Sequence, residues 1–258
     1  MLTRYAATRE DLAAVLADEP RYRVDQVWDA LWRRRVPISE ATDLPRALRE
    51  RLDEALPVAL TPIVEARSRD DQTVKWRWAT SAGAEVEAVL MRSAQRASVC
   101  VSSQAGCAMA CTFCATGQAG FEQHLNAAEI AEQVLRAQHA SPQRVTNVVY
   151  MGMGEPLANY DATWASVLLL HERLGISARR ITLSTVGVVP GMRRLAAEGL
   201  PVTLAVSLHA PDDDLRRQLV PLTDRYPIAE VLDRLPHGVV VGERFAHAHE
   251  HDVGDALR

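Results

Sequence analysis

The residues best suited to chemistry are cysteines: the sequence has four, all between Cys100 and Cys114. The last three run Cys107-Ala-Met-Ala-Cys111-Thr-Phe-Cys114, a spacing compact enough to wrap one inorganic cluster. Thiolates are the usual ligands of iron–sulfur cubes, and a cube has four irons. Three local thiolates of a [4Fe–4S] cluster leave one iron open. That is the arrangement S-adenosylmethionine needs to chelate it through its amino and carboxylate groups. Structural zinc is the competing reading, because it wants a closed set of four donors, and Cys100 or His124 could complete the set. Inert buried thiols are the third, although small loop residues rather than a periodic core surround these. A disulfide framework fits badly, since such cysteines spread along the chain to close longer loops.

Something must hold that loop, and the periodicity says what. At 258 residues, 48% apolar and 24% charged, the chain can bury one large core with a small appendage. Disorder and collagen-like repeats are excluded for its bulk. Arg9–Ala17, Val24–Arg33 and Pro45–Ala55 carry apolar residues at helical spacing, with Pro45 suited to a first turn behind Asp43. Residues 1–57 are therefore expected to form a small helical domain. From Val58 to Arg92 the period changes to two. Val74, Trp76 and Trp78 alternate with polar residues, Ser81-Ala82-Gly83 turns the chain, and Val86, Ala88 and Leu90 alternate again, which predicts a β-hairpin or meander connector over 58–92.

Beyond it, strand and helix alternate through a core assigned to 93–258. Strands are expected at Val99–Ser102, Val145–Tyr150, Ile181–Leu183 and Val202–Val206. The helices behind them are a run capped by Asn126 and ending at Gln138, then Asp161–Leu174, Met192–Glu198 and Asp214–Leu219. Apolar strands alternating with helices indicate an α/β fold, either a parallel sheet or an open (β/α) barrel. In such folds the chemistry sits at the carboxyl ends of the strands, where the unusual residues lie. The cysteine loop follows the first strand, Met151-Gly-Met-Gly-Glu155-Pro156 the second, Ser184-Thr-Val-Gly187 the third and Ser207-Leu-His209 the fourth. Taken singly, Ser184 reads as a cap, Glu87 as an exposed strand glutamate and Cys100 as a buried strand thiol.

Together these segments resemble a known family. The Cys-x3-Cys-x2-Cys spacing, with Phe113 before the last cysteine, resembles the radical S-adenosylmethionine (SAM) superfamily. More narrowly, Cys100-Val-Ser-Ser-Gln-Ala-Gly-Cys107, Met151-Gly-Met-Gly-Glu-Pro-Leu157, Leu183-Ser-Thr-Val-Gly-Val-Val-Pro190 and Ala205-Val-Ser-Leu-His-Ala-Pro211 resemble the bacterial enzymes that methylate carbon 2 of an adenosine in 23S rRNA and certain tRNAs. The likeness runs from the N-terminal helices to about Pro227. It implies an incomplete (β/α) radical-SAM barrel in which Cys107, Cys111 and Cys114 bind a [4Fe–4S] cluster. It further implies that Gly154 and Glu155 contact the amino end of S-adenosylmethionine, and that Ser184, Ser207, Leu208 and His209 hold its ribose, adenine or carboxylate. Glu87 matches the family's proton acceptor. Cys100 matches the cysteine that releases methylated RNA by attacking a protein–RNA crosslink and forming a disulfide. The N-terminal helices would dock RNA, and a flavodoxin-type reductant and a monomeric protein are implied.

The C-terminal part departs from that pattern. The family's methyl-carrying cysteine lies well downstream, yet no cysteine follows Cys114. Two strand–helix units expected after the fourth helix are not evident, and Leu235–Arg258 shows neither family motifs nor clear periodicity. Out-of-frame sequence after a frameshift, or a premature stop, is one explanation. A native tail that binds metal through His247, His249 and His251 is the other. Methylation at adenosine carbon 8 and a non-catalytic RNA-binding remnant are alternative functions. The net charge of −4 advertises no polyanionic partner, so RNA affinity must come from local patches such as Arg33-Arg34-Arg35. No apolar run is long enough to span a bilayer and Met1–Pro20 is too charged for a signal peptide, so no membrane partner and a cytoplasmic location are expected.

Overall fold

The computed structural model describes residues 2–233 and 240–242. The N-terminal helices are α1 (Arg9–Val15), α2 (Tyr22–Trp28) and α3 (Arg46–Ala55). Thr8 starts α1 with a reciprocal capping box: its side chain accepts from Asp11 N, and the Asp11 carboxylate accepts from Thr8 N. The second helix does not continue to Arg33 in α geometry. It widens into a π-helical stretch over Asp29–Arg34 that turns three consecutive residues, Ala30, Leu31 and Trp32, into the core, and Arg35 ends it in the left-handed conformation.

The strands β1 (Leu60–Arg67), β2 (Thr73–Thr80) and β3 (Glu85–Arg92) form the expected antiparallel meander. β4 (Ala97–Cys100) pairs antiparallel with β3 on one side and parallel with β7 (Val145–Tyr150) on the other. β8 (Ile181–Thr185) and β9 (Thr203–Ser207) continue in parallel. Connector and barrel strands are thus one eight-stranded sheet, order β1-β2-β3-β4-β7-β8-β9-β10. Its last strand, β10 (Val240–Gly242), corrects the expectation for the segment after Leu235. Val-Val-Gly is too short for its period to be read, yet it pairs parallel with β9. The rest of the tail, including His247, His249 and His251, lies outside the described residues. A second, two-stranded sheet joins β5 (Gln104–Gly106) to β6 (Phe121–His124) around the short helix α4 (Ala115–Ala119). Helices α5 (Ala127–His139), α6 (Tyr160–Leu168), α7 (Val189–Ala197), α8 (Asp213–Leu219) and α9 (Ile228–Asp233) follow the strands. Asn126 caps α5 as predicted, accepting from Ala128 N and Glu129 N.

Alternation decides which face of the large sheet is buried. Trp76, Trp78, Val86, Leu90, Val99, Val148, Tyr150, Leu183, Leu204 and Val206 point one way and are buried. They share one core with Ile130 and Val134 of α5 and with Leu12, Trp32 and Leu52 of the N-terminal helices. Each fully buried Val or Leu there stabilises the fold by about 1.5–3 kcal/mol. Residues pointing the other way are half-exposed or exposed, so this face is open among the described residues. The register of β4 against β7 slips once, from Ala97↔Val145 to Ser98↔Asn147, leaving Thr146 with no residue opposite. The architecture is a partial barrel of α/β class. Among the described residues no helix is long and apolar enough to cross a membrane.

Candidate active site

The cysteine loop is stapled at both ends. Cys107 N donates to Gly120 O (2.8 Å) and Cys114 N to Cys111 O (3.1 Å), while Thr112 N donates to Leu219 O (3.0 Å) at the end of α8. Gly106 (φ +69°) must be glycine, because a Cβ there would lie 2.0 Å from Gly120 O. All four cysteines are free thiols, so the disulfide that the family resemblance implies for Cys100 is not formed in this structure. Burial pushes the Cys111 thiol up to about 12, and the charges of Cys107, Cys114 and Glu155 push the same way. Cys107 is raised likewise, by burial first and then by Glu155 and Cys114. A cation placed among thiols favours their ionised forms.

Among the described residues no group of three or more His, Cys, Asp or Glu side chains is arranged to hold a single metal ion. Zinc needs four donors about 2.3 Å from one centre, whereas a cube places each thiolate on its own iron. Neither suggested fourth zinc donor joins the trio. The His124 ring meets Gln104 Nε2 at 3.1 Å and Phe121 at 4.8 Å between centroids. Cys100 sits in β4 between Val89 and Val149. The donor set suits an iron–sulfur cube.

Beside the thiols lies a buried carboxylate. Glu155 caps a 3₁₀ turn, its Oε1 accepting from Leu157 N (3.0 Å) and its Oε2 from Val186 N (2.9 Å). Its own N donates to Gln104 Oε1 (2.7 Å). Burial pushes its carboxyl up to about 7, against the hydrogen bonds from Val186, Leu157 and Thr185. No ion pair involving Glu155 occurs among the described residues, so a cation-bearing ligand has a reason to settle there. Gly154 stands at φ +97°, and a Cβ on it would meet Gln104 Cβ at 2.5 Å and Gln104 N at 2.8 Å. The tight turn that aims Glu155 therefore needs glycine.

The remaining expected residues divide between strand ends and the open face. Ser184 of β8 lies opposite Ala205 of β9, one pleat before Ser207, and all three are half-exposed on the open face. His209, in a left-handed conformation (φ 61°), packs on Phe113 of the cysteine loop with centroids 4.4 Å apart. Leu208 O accepts from Arg216 Nε (3.1 Å). Glu87 and Cys100 share the open face further along: Glu87 pairs across strands with Arg77, and Cys100 with Val89 on one side and Val149 on the other. The Glu87 carboxylate meets Lys75 Nζ at 2.9 Å. Burial pushes the Cys100 thiol up to about 11 although Met151 N–H bonds to it, so it rests protonated at neutral pH. Cys100 thus ends the strand that runs into the cysteine loop, and Glu87 lies on the neighbouring strand β3.

Several residues that build the site carry no local signal. Gln104 bridges Glu155 and His124. Arg216 is fully buried. It donates to Leu208 O, Val186 O and Thr223 Oγ1, tying together the loops after β8 and β9. Ser102 Oγ donates to Glu87 O (2.6 Å) and accepts from Met153 N (2.9 Å). The one hint in the sequence is that Gln104 and Ser102 fall inside the Cys100–Cys107 segment.

Residues 101–236 match the family model of the radical SAM superfamily. The probable dual-specificity RNA methyltransferase RlmN of Frankia alni is 52% identical over 235 residues, covering 85% of this chain and 56% of its own length. Its namesake from Salinispora tropica is 50% identical over 241 residues, covering 88% and 64%. The chain thus spans 56–64% of the length of these curated relatives. A solved radical SAM methyltransferase from Sphaerobacter thermophilus superposes with a TM-score of 0.82 at 44% identity, over 91% of this chain and 71% of that one. The chain belongs to the radical SAM superfamily.

Proposed function

We propose that this chain is the cofactor-binding part of a radical methyltransferase acting on carbon 2 of adenosine in 23S rRNA and tRNA. The observation that carries the reading is the Cys107–Cys114 loop, closed onto Gly120 and Leu219, next to the buried Glu155 carboxylate that has no ion-pair partner among the described residues. Cys107, Cys111 and Cys114 hold the [4Fe–4S] cluster, and Glu155, aimed by Gly154, receives the ammonium of S-adenosylmethionine. When bound, the cluster supplies the electron that cleaves the cofactor's carbon–sulfur bond. Ser184, Ser207, Leu208 and His209 orient the nucleoside part at the strand ends. Glu87, held by Lys75, takes up a proton on the open face, and Cys100 presents its thiol to the RNA. The helices within 1–57 dock the RNA. The same reading implies a flavodoxin-type reductant, a monomer and a cytoplasmic location.

Anaerobic reconstitution with iron and sulfide tests the reading. The expected product has about four irons per chain and broad absorbance at about 400 nm. With dithionite and S-adenosylmethionine it should release 5′-deoxyadenosine. Protein that keeps zinc and takes up no sulfide refutes it.

A further inference from the structure

The Arg33-Arg34-Arg35 run is the sequence motif the cofactor site does not use, and the fold splits it. Arg33 meets Asp29 (3.3 Å), and Arg34 is shared between Asp29 (3.0 Å) and Asp43 (2.9 Å). Arg35 turns the other way. Its Nη2 donates to Leu174 O at 2.7 Å, the same oxygen to which Arg144 Nη2 donates at 3.4 Å. Its buried Nε has no partner among the described residues. Two guanidiniums therefore converge on one peptide oxygen, beside a cleft of about 360 Å³ between the N-terminal helices and the end of α5. A second hollow of about 170 Å³ adjoins it through Arg144 and reaches Arg180.

Charge balance at this spot is lopsided. Glu40 is the sole carboxylate lining either hollow, and no ion pair among the described residues involves Arg35, Arg144 or Arg180. Guanidinium cannot shed its proton to relieve the crowding. Burial and the neighbouring Arg144 both push the Arg35 guanidinium down. The backbone adds a second observation. Arg35 ends its helix at φ 56°, where glycine or asparagine is usual, and residues kept in such conformations cluster at functional sites.

We propose that this cleft is a phosphate-binding site, with Arg35 and Arg144 as paired forks and Arg180 as a flanking charge. Planar guanidinium donors match phosphate oxygens two by two, and the buried Arg35 Nε carries a hydrogen that no group among the described residues accepts. The group can come from the backbone of a folded RNA or from free phosphate. The RNA source rests on the RNA-methyltransferase reading; the site does not. Arg144 and Arg180 directly precede β7 and β8, at the opposite end of the strands from the cysteine loop, so loading of the cluster does not enter the test.

The test uses the full chain without cluster, with sodium phosphate against sodium chloride at matched ionic strength. Phosphate should raise the thermal midpoint saturably in wild type and in Arg33→Gln. Arg35→Gly removes the guanidinium while relaxing the backbone, and Arg144→Gln alters an exposed side chain, so both keep the fold. Each should bind phosphate roughly tenfold more weakly. A second arm uses unmodified, in vitro transcribed tRNA. If the RNA backbone is the occupant, phosphate competes with tRNA and both variants lose roughly tenfold in tRNA affinity. If free phosphate is the occupant, tRNA affinity stays at the wild-type value while phosphate affinity falls. An equal phosphate response in wild type, Arg35→Gly and Arg144→Gln overturns the site, whatever the protein's iron content.

Discussion

Replacing Glu155 with Gln should erase a pH dependence of folding that the buried carboxylate imposes. In the folded chain burial lifts this carboxyl from 4.5 to about 7; in the unfolded chain it titrates near its ordinary value. The native state therefore prefers the protonated form. The stabilisation is fully present below about 4.5 and is lost as the pH rises through about 7. Each tenfold change in proton affinity is worth about 1.4 kcal/mol, so the whole span amounts to about 3 kcal/mol, most of it falling between pH 5 and pH 8. Glu155→Gln cannot titrate and loses none of it. Substitution also disturbs the bonds from Leu157 N and Val186 N, which lowers stability equally at both pH values. The informative quantity is thus the pH-dependent part of the difference between the two proteins. With an m-value of about 3 kcal/mol/M, the urea midpoint of cluster-free wild type should fall by close to ~1 M more than that of the variant on going from pH 5 to pH 8. A gap between wild type and variant that is the same at both pH values would show that Glu155 ionises freely, and the cation-seeking site would lose its basis.

Two other substitutions probe the same surroundings. Gly154→Ala puts a Cβ 2.5 Å from Gln104 Cβ at φ +97°; backbone strain of about 1–3 kcal/mol plus a similar overpacking cost should lower the stability of the chain by about 2–6 kcal/mol, read as a drop in denaturation midpoint. Arg216→Met leaves Val186 O and Leu208 O without their donor and should cost about 3 kcal/mol, with amide exchange quickening at 186–188 and 208–210; an unchanged exchange pattern there would mean that the guanidinium does not brace those loops.

Local rules reach a definable distance into this molecule. The meander over β1–β3 was legible because Trp76 and Trp78 alternate with charged residues around a turn, and α5 because Asn126 and Glu129 form a capping box. The loop order at the strand ends was legible because buried strands read as short apolar runs. What escaped is non-local. The β5–β6 pair brings Gln104 opposite His124 across the whole cysteine loop, and strands of three and four residues hold no period. Arg216 looks like any basic residue of an amphipathic helix until its partners, 30 and 8 positions away in Val186 and Leu208, are folded beside it. The π-helical stretch after Trp28 is likewise dictated by the three residues it buries and not by helical propensity.

The unpaired Thr146 has a consequence for evolution of the chain. Strand side chains obey an odd–even rule, and shifting by one position sends every side chain to the other face. Across the β4–β7 boundary the spare residue keeps two sets in phase: Ala97, Val99, Val145 and Val148 inward, Ser98, Cys100, Asn147 and Val149 outward. Deleting it would force a choice between anchoring the strand and presenting its outward set, whereas lengthening the surface turn at Ser81–Gly83 would alter neither. Tolerance to length changes should therefore differ sharply between two sites that look equally unremarkable in the sequence.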